Sequence, residues 1–323
     1  MFRKLATAIA VTALAVSTAH AQTYPTKPIQ MLVPFAAGGP TDTVARGLAQ
    51  SMGKAIGQTI VVENAPGAGG TIAPVKLKAA APDGYTLMLA HIGMSTAPAL
   101  YRTLPFKPLE DFELIGQVVD VPMTFIAKKD LPPNDFKGLI DYMKANKDKV
   151  TLANAGVGAA SHLCGLLFMS AIQTDVTTVP YKGTAPAIND LLGGQVDVLC
   201  DQTTNTTSYI KSGRIKAYAV TSKTRVDSLK ELPPASEAGL PGFEVTVWHG
   251  VYAPKGTPKP VIDKLVAALQ AGIADQGFVT RMHELGSVVV SKDKATPEGL
   301  RSHLKAEIDK WTPIIKKAGV YAD

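Results

Sequence analysis

Several residue types that mark common protein classes are scarce in this sequence. It has only two cysteines in 323 residues, and aromatic residues make up 6% of the chain. It has no Cys-x-x-Cys pair and no two histidines four residues apart, so the usual zinc patterns are missing. A P-loop and the G-x-G-x-x-G fingerprint of dinucleotide sites are missing as well. The sequence therefore predicts neither a metal ion nor a cofactor.

Basic residues outnumber acidic ones only slightly. The formal net charge is +6, and the basic residues are scattered apart from pairs such as Lys128-Lys129 and Lys316-Lys317. A protein that binds nucleic acid usually carries clustered basic residues, often with aromatic residues between them, and no such run occurs here. We therefore expect no nucleic-acid partner.

A long apolar run occurs only at the N-terminus. An apolar stretch from Leu5 to about Val16 follows two basic residues and leads to an Ala19-His20-Ala21 cleavage pattern. The stretch is shorter than the ~20 apolar residues that span a bilayer. We predict a signal peptide at residues 1–21, and hence an exported, periplasmic protein that begins at Gln22.

Export bears on the state of Cys164 and Cys200. Two cysteines in an oxidising compartment can form a disulfide, which would stabilise this chain by roughly 3–4 kcal/mol through loop-closure entropy. Two buried free thiols are the alternative, and the sequence favours neither.

Strand-like and helix-like patterns alternate along the chain, which predicts an α/β fold with largely parallel sheets. The predicted strands are Ile29–Phe35, Thr59–Asn64, Tyr85–Ala90, Val150–Asn154, Thr177–Pro180, Val196–Cys200 and Ala217–Thr221. Helical stripes are predicted at Val44, Leu48, Met52 and Ile56, and at Leu300, Leu304, Ile308, Trp311 and Ile315.

The length of the chain after cleavage suits two domains better than one. Composition changes near residues 120–130 and again around Val245–Pro254. Two crossings of this kind would make one domain discontinuous. We expect one lobe from residues 22–122 with 250–323, a second lobe from residues 123–249, and a cleft between them.

The segment from Val33 to Asp42 is the most informative part of the sequence. A strand-like run passes through Gly38 and Gly39 directly into a helical pattern, and the turn contains no cationic side chain. Such a turn offers a ligand free backbone N–H groups and the positive end of a helix dipole. The sequence therefore predicts a carboxylate-binding site here.

A series of short motifs accompanies this segment along the chain. They are Pro34–Asp42 with Ala45-Arg46, Val62-Glu63-Asn64, Gly67–Gly70, Pro82–Leu87, Val179–Gly183, Asp190–Asp197, Ala253–Pro258 and Glu307–Trp311. In this order, from about residue 25 to the end, they resemble the Bug-type receptors, the extracytoplasmic solute-binding proteins of tripartite tricarboxylate transporters.

The resemblance implies a two-lobed periplasmic binding protein fold, similar to type II, that closes on a small organic carboxylate. It implies a receptor without catalytic activity that delivers its ligand to membrane permease subunits, and we expect a monomer. One loop from each lobe would hold a carboxylate through N–H groups, small hydroxyls and water. These loops are Phe35–Asp42 and Asn154–His162. Related receptors often carry a hydroxyl residue at the place of Ala159 or Ala160, so its absence here gives Ser161 more weight.

The predicted ligand-binding residues come from the two loops and from strand ends. They are Phe35, Ala36, Gly38, Gly39, Thr41, Asp42, His91, Asn154, Gly158, Ala159, Ala160, Ser161, Tyr181, Asp201, Gln202 and Trp248. Asp42 either satisfies N–H groups of the first helical turn or orients a ligand amine or water. Tyr181 is expected to point into the cleft, Asp201 and Gln202 to meet the distal end of the ligand, and Trp248 to flank its body.

Two other functions fit parts of the pattern. The adjacent Ser161-His162 pair suggests a secreted hydrolase, although neighbouring residues on a helix point in different directions and a G-x-S-x-G elbow is absent. A ligand-binding component of a sensory system would share every feature of a transport receptor. Aliphatic dicarboxylates, aromatic carboxylates and acidic amino acids all suit the predicted loops, and the aromatic residues near the cleft favour an aromatic or medium-chain acid.

Overall fold

The computed structural model describes residues 24–319 and 321–322, so the predicted leader at residues 1–21 lies outside the described residues. The strands are β1 (Ile29–Val33), β2 (Ile60–Asn64), β3 (Thr86–His91), β4 (Phe112–Ala127), β5 (Thr151–Asn154), β6 (Thr177–Pro180), β7 (Val198–Gln202), β8 (Lys216–Val220), β9 (Thr246–Pro254) and β10 (Val288–Val289). The α-helices are α1 (Pro40–Ile56), α2 (Ile72–Lys78), α3 (Gly93–Leu100), α4 (Phe136–Ala145), α5 (Ala160–Ile172), α6 (Thr184–Leu192), α7 (Thr203–Lys211), α8 (Lys259–Ile273), α9 (Gln276–Glu284) and α10 (Pro297–Ala318).

The strands form a mixed sheet in the order β2-β1-β3-β9-β4-β7-β5-β6, with β8 and β10 also paired to β4. Strand β1 pairs in parallel with β2 and β3, and β5 pairs in parallel with β6 and β7, as the alternating pattern predicts. The partners of β4 are all antiparallel. The α/β fold is confirmed, whereas β4, β9 and β10 were not predicted.

Strand β4 divides the sheet into two parts. Its residues from Phe112 to Pro122 pair with β9, and those from Met123 to Ala127 pair with β7 and β8. We call the part that contains β1, β2, β3, β9 and β10 the first half-sheet, and the part that contains β5 to β8 the second. The change of partner at Pro122 explains how a proline is tolerated inside a long strand, since proline cannot donate to a continuous ladder.

Helices cover both half-sheets and bury the predicted stripes. Val44, Leu48 and Met52 of α1 are fully buried, and this helix packs against α8 beside the first half-sheet. In α10, the last of the helices, Leu300 and Trp311 are buried against β4 and α3. Both helical stripes are therefore core, as predicted.

Cys164 of α5 and Cys200 of β7 form a disulfide, with Cα atoms 6.2 Å apart. The bond ties the helix that follows the second predicted loop to the strand that ends at Gln202. The open choice between a bridge and two free thiols is therefore decided in favour of the bridge.

None of the helices within residues 24–319 and 321–322 is long and apolar enough to cross a bilayer.

Candidate functional site

The two predicted loops share one backbone feature, a glycine of positive φ whose N–H is bonded to the helix that follows. In the first loop Gly38 has φ +79°, and its N–H donates to the Asp42 carboxylate at 2.9 Å. In the second loop Gly158 has φ +88°, and its N–H donates to Nδ1 of His162 at 3.2 Å. Glycine adopts this positive φ without steric cost. Each loop is thus tied to the first turn of the helix that follows it.

Asp42 is a structural residue of the first loop. Besides the Gly38 N–H, its carboxylate accepts hydrogen bonds from Arg46 Nε at 2.8 Å and from Asn64 Nδ2 at 3.0 Å. Asn64 also donates to the carbonyl of Phe35 at 3.0 Å. Burial raises the pKa of Asp42, but the hydrogen bonds from Arg46, Gly38 and Asn64 outweigh it and leave the pKa below its ordinary value. Two roles were predicted for this carboxylate, and it has the structural one. The N–H group that it satisfies is that of Gly38 in the loop, not one in the first turn of the helix.

Ser161 holds the second loop. Its hydroxyl oxygen accepts a hydrogen bond from the Ala155 N–H at 2.7 Å, while the Asn154 side chain accepts one from Gly156 at 2.9 Å. The N-cap of α5 is Ala159, so Ser161 does not cap this helix. The serine lies one residue inside the helix and reaches back to the loop.

His162 contributes to the loop as a neutral side chain. Burial lowers its pKa to about 4, which leaves Nδ1 free to accept from Gly158. Ser161 and His162 are therefore bonded to different backbone N–H groups. This arrangement differs from the Ser–His hydrogen bond that activates a nucleophile.

Four helix N-termini surround one small cavity, whose interior is almost filled by protein atoms in this closed structure. Helices α1, α5, α6 and α7 each begin without a side-chain hydrogen bond to their first turn. Helices α2, α3 and α8 also lack such a cap but contribute no residue to the cavity lining, and Asp135, Asp275 and Thr296 cap α4, α9 and α10. Uncapped N-termini offer N–H groups and a positive dipole end. The cavity is lined by Phe35, Pro40, Thr41, His91, Ala155, Ala160, Ser161, Thr184, Asp201 and Gln202.

Two buried polar atoms of the lining are left without partners. Thr184 Oγ1 and Gln202 Oε1 form no hydrogen bond within the described residues, although each residue is only 3% exposed. Leaving such an atom unsatisfied costs about 1–3 kcal/mol, which a bound polar ligand would recover. None of the lining residues is Lys or Arg. The cavity therefore suits a polar ligand held by neutral donors and helix dipoles.

Aromatic rings form the wall of the cavity on the first half-sheet. Phe35 stacks on His91 with centroids 4.7 Å apart, and His91 Nδ1 accepts from the Gly93 N–H at 2.9 Å. His249 Nε2 lies 3.3 Å from the hydroxyl of Thr41. Burial lowers the pKa of His91 to about 4, and burial together with the neighbouring His91 lowers the pKa of His249. Both rings are neutral and can hydrogen-bond without adding charge.

The loops of the two half-sheets are in contact across the cleft. The Ala36 N–H donates to the carbonyl of Lys182 at 3.1 Å. The Tyr101 hydroxyl lies 2.9 Å from the carbonyl oxygen of Ala68 and 3.1 Å from that of Val157. The cleft is therefore closed in this structure.

Most predicted site residues lie at the cavity or in the loops that frame it. Those that line the cavity are Phe35, Thr41, His91, Ala160, Ser161, Asp201 and Gln202. The other predicted residues of the framing loops do not line the cavity; they are Ala36, Gly38, Gly39, Asp42, Asn154, Gly158 and Ala159.

Trp248 and Tyr181 lie elsewhere, contrary to the sequence prediction. Successive residues of a strand face opposite sides, so His249 of β9 is near the cavity while the Trp248 indole packs on α10 and donates to Glu307 at 3.3 Å. The Tyr181 hydroxyl donates to Asp190 of α6 at 2.7 Å, away from the cavity lining. Asp201 and Gln202, expected to follow a strand, are the last residues of β7.

The lining includes Pro40, Ala155 and Thr184, which were not predicted. Pro40 and Ala155 lie within the two predicted loops. Thr184 begins α6 directly after Gly183, which has φ +141°, so it follows a strand and a glycine as the two loops do. That shorter strand–glycine–helix pattern is the signal by which Thr184 could have been found.

Comparison with known proteins agrees with this architecture. A sequence model described as "Tripartite tricarboxylate transporter family receptor" matches residues 44–320. The periplasmic binding protein BugD is 57% identical, with a TM-score of 0.91 over 92% of this chain and 99% of its own. MatC from Rhodopseudomonas palustris, solved with bound malate, is 38% identical, with a TM-score of 0.87 over 90% of this chain and 100% of its own. A second R. palustris protein, solved with adipate, is 31% identical, with a TM-score of 0.87 over 92% of this chain and 99% of its own.

Proposed function

This chain belongs to the receptor family of tripartite tricarboxylate transporters, and on that premise we propose that it is a periplasmic receptor for a small dicarboxylate. It captures the ligand in the cavity between its lobes, without chemical change, and delivers it to membrane permease subunits. The leader at residues 1–21 directs its export. The mature protein works as a monomer and needs no cofactor.

The observation that carries this proposal is the meeting of four uncapped helix N-termini at a buried cavity without Lys or Arg. Partial positive charge from these helices favours an anion there. The unpartnered hydroxyl of Thr184, which can donate, adds a second, independent indication that a polar ligand fills the space. Bound malate and adipate in two similar structures support an aliphatic dicarboxylate, and the aromatic acid, one of the classes that the sequence favoured, is the less supported alternative.

We propose that the ligand contacts the lining residues together with N–H groups of the two framing loops.

We propose that the first lobe comprises the first half-sheet and that the second lobe comprises the second half-sheet. Residues 246–249 belong to β9 and pair with β4 in the first half-sheet, whereas the N–H of Val245 donates to the carbonyl of Thr221 in the second. We therefore propose that the chain returns from the second lobe to the first between residues 245 and 246. The boundary expected from sequence, between residues 249 and 250, lies a few residues later.

The mature protein, residues 22–323, tests this proposal in a thermal-shift and calorimetry panel of aliphatic, aromatic and amino-acid carboxylates. A ligand at 100 times its Kd should stabilise the native state by about 2.7 kcal/mol. We expect C4 to C6 dicarboxylates to bind and neutral analogues such as their diamides not to bind. A folded protein that responds to none of these acids would refute the receptor function.

Two serine variants test whether the ligand binds in this cavity. Ser161 and Ser95 are both buried, and each hydroxyl is bonded to backbone, but only Ser161 lines the cavity. We expect Ser161→Ala to weaken binding about tenfold and Ser95→Ala to leave it unchanged, because a lost hydrogen bond at a charged ligand is worth about 1.5 kcal/mol or more. Equal effects would place the ligand elsewhere.

Uptake by cells tests delivery to a permease. Deleting the gene should abolish uptake of the bound acid even when the permease is expressed from an independent promoter. Normal uptake with altered gene expression would instead indicate a sensory receptor. Release of product from generic esters that is lost in Ser161→Ala would indicate a hydrolase.

A further inference from the structure

Asp201 is a buried carboxyl group at the edge of the candidate site. It lies in β7, is 1% exposed and lines the cavity. Asn205 Nδ2 donates to its Oδ2 at 2.6 Å, and the Thr184 hydroxyl lies nearby without a hydrogen bond of ordinary geometry. Within the part of the chain that the structure describes, no Lys, Arg or His forms an ion pair with it. A carboxyl group without a cation therefore faces a cavity that suits anions.

We propose that Asp201 takes part in binding as the neutral acid and donates a hydrogen bond to a carboxylate of the ligand. This inference rests on the proposed function as a dicarboxylate receptor and adds a specificity-determining residue to it. Binding then takes up one proton when Asp201 is ionised in the free protein.

The count of donors and acceptors leads to this protonation state. A dicarboxylate dianion brings only acceptor oxygens, and an ionised aspartate is likewise an acceptor alone. Gln202 Oε1, the neighbouring unpartnered atom, is also an acceptor. An ionised Asp201 would therefore add repulsion in a low-dielectric cavity. A proton on the oxygen that Asn205 does not contact turns the repulsion into a hydrogen bond to the ligand.

Burial also favours the protonated form of Asp201. It raises the pKa of Asp201 to about 7, against hydrogen bonds from Asn205 and the Gln202 N–H and the nearby Thr184 hydroxyl, which lower it. The cost of adding the proton at neutral pH is therefore small, because an ordinary carboxyl group would need about 4 kcal/mol to stay protonated there.

The other titratable groups around Asp201 do not change charge near neutral pH. His91 on β3, His249 on β9 and His162 on α5 all have a lowered pKa and are neutral. Asp42 on α1 has a lowered pKa and stays ionised beside Arg46.

The helices on either side of β7 carry their charges away from Asp201. On α6, Asp190 is bonded to Tyr181, whose pKa is raised to about 12 by burial and by this aspartate. The nearest cation of α7, Lys211, is at its far end. A proton taken up on binding near pH 7 is therefore assigned to Asp201.

Calorimetry with malate, succinate and adipate between about pH 6 and 8.5 tests the inference, since both ligand carboxylates are ionised there. For the wild type we expect Kd to be flat below pH 7 and to rise toward tenfold per pH unit above it. Asp201→Asn retains a donor that does not titrate, so its Kd should stay within about threefold of the wild-type value at pH 6 and be independent of pH. Asp201→Ala should bind at least about fivefold more weakly than the wild type does at pH 6, because it has lost the donor, and its Kd should likewise be independent of pH.

Asp190→Asn serves as the matched control, since the Asp190 carboxyl lies outside the cavity lining, and this variant should keep the wild-type pH profile.

A carboxylate titration of Asp201 by ¹³C NMR in the ligand-free protein should show a midpoint above about pH 6. A wild-type Kd that is flat or falls with rising pH would overturn the inference, as would a midpoint that does not coincide with the pH above which Kd rises. Loss of all binding in Asp201→Asn would also overturn it and would indicate a ligand cation instead. A protein that binds no carboxylate at all refutes the proposed function together with this inference, whereas binding with a flat profile refutes this inference alone.

Discussion

Gly69 offers a direct test of lobe closure. It lies in the short 3₁₀ segment Ala68–Gly70 beside the first half-sheet, with φ +61°. A Cβ atom at this position would overlap the carbonyl oxygen of Val157, which belongs to the second half-sheet, and would lie 3.1 Å from its carbonyl carbon. Gly69→Ala therefore places a methyl group between the two lobes at the point where their backbones meet.

The size of the effect follows from the geometry. Carbon atoms pack best at about 3.5–4.0 Å, so the lobes must separate to admit the methyl group. Overpacking against backbone costs about 1–3 kcal/mol. The clash with Val157 exists only in the closed state, so ligand affinity should fall roughly 5- to 150-fold. The Cβ would also overlap the hydroxyl of Tyr101 in the same lobe, and that side chain has to shift in the open and the closed state alike. The positive φ adds a further penalty of about 1–2 kcal/mol, but it applies to the folded protein whether open or closed.

Gly57→Ala separates the two contributions. Gly57 also has a positive φ, +75°, but a Cβ there meets no atom within 4 Å. Both variants should lose similar stability in urea unfolding, while only Gly69→Ala should bind ligand more weakly and show a larger radius of gyration with ligand present. Equal affinity in the two variants would refute the inference that closure brings Gly69 against Val157.

Three further predictions concern stability and the limits of the site. Replacing Cys164 and Cys200 by serine should lower the free energy of unfolding by about 4 kcal/mol, measured in urea, because the bond closes a loop of 36 residues; no change would show that the thiols are not bridged in solution. Asp42→Asn should destabilise the protein at pH 7 by about 1–3 kcal/mol. Because the pKa of Asp42 is lowered, the stability it contributes is present above the ordinary value and is lost as pH falls through the folded value, so the gap to wild type should shrink below about pH 4; a gap that widens in acid would contradict this. Thr184→Val should weaken dicarboxylate binding about tenfold while Trp248→Phe leaves Kd unchanged and lowers stability, and the reverse result would return Trp248 to the cleft.

The features that sequence analysis predicted depend on short segments of chain. The strand before Gly38 and the helix after it were predicted because periodicity and turn residues act over a few neighbours. The second loop, with Gly158 and Ser161, was recognised from the family motifs, and its Gly158 has the positive φ and the hydrogen bond to the next helix that Gly38 has in the first. The α/β class and the buried helical stripes followed from the same local patterns.

The errors arose where a distant part of the chain decides the structure. Pro122 was taken as a boundary, yet it lies within β4, because β9 and then β7 supply its neighbours in turn. Trp248 was placed in the cleft because sequence proximity to His249 does not reveal which face of β9 is buried against α10. Tyr181 was expected to point inward, but a carboxylate on the next helix, Asp190, holds its hydroxyl.

Backbone preference and apolar periodicity are local properties, so they were enough to predict an α/β protein with two glycine loops that lead into helices. The meeting of four helix N-termini at one cavity, and the position of Asp201 beside it without a cation, became visible only in the folded chain. Burial and the convergence of dipoles depend on atoms that are far apart in the chain. The chemistry of the site is therefore a property of the closed fold rather than of any one motif.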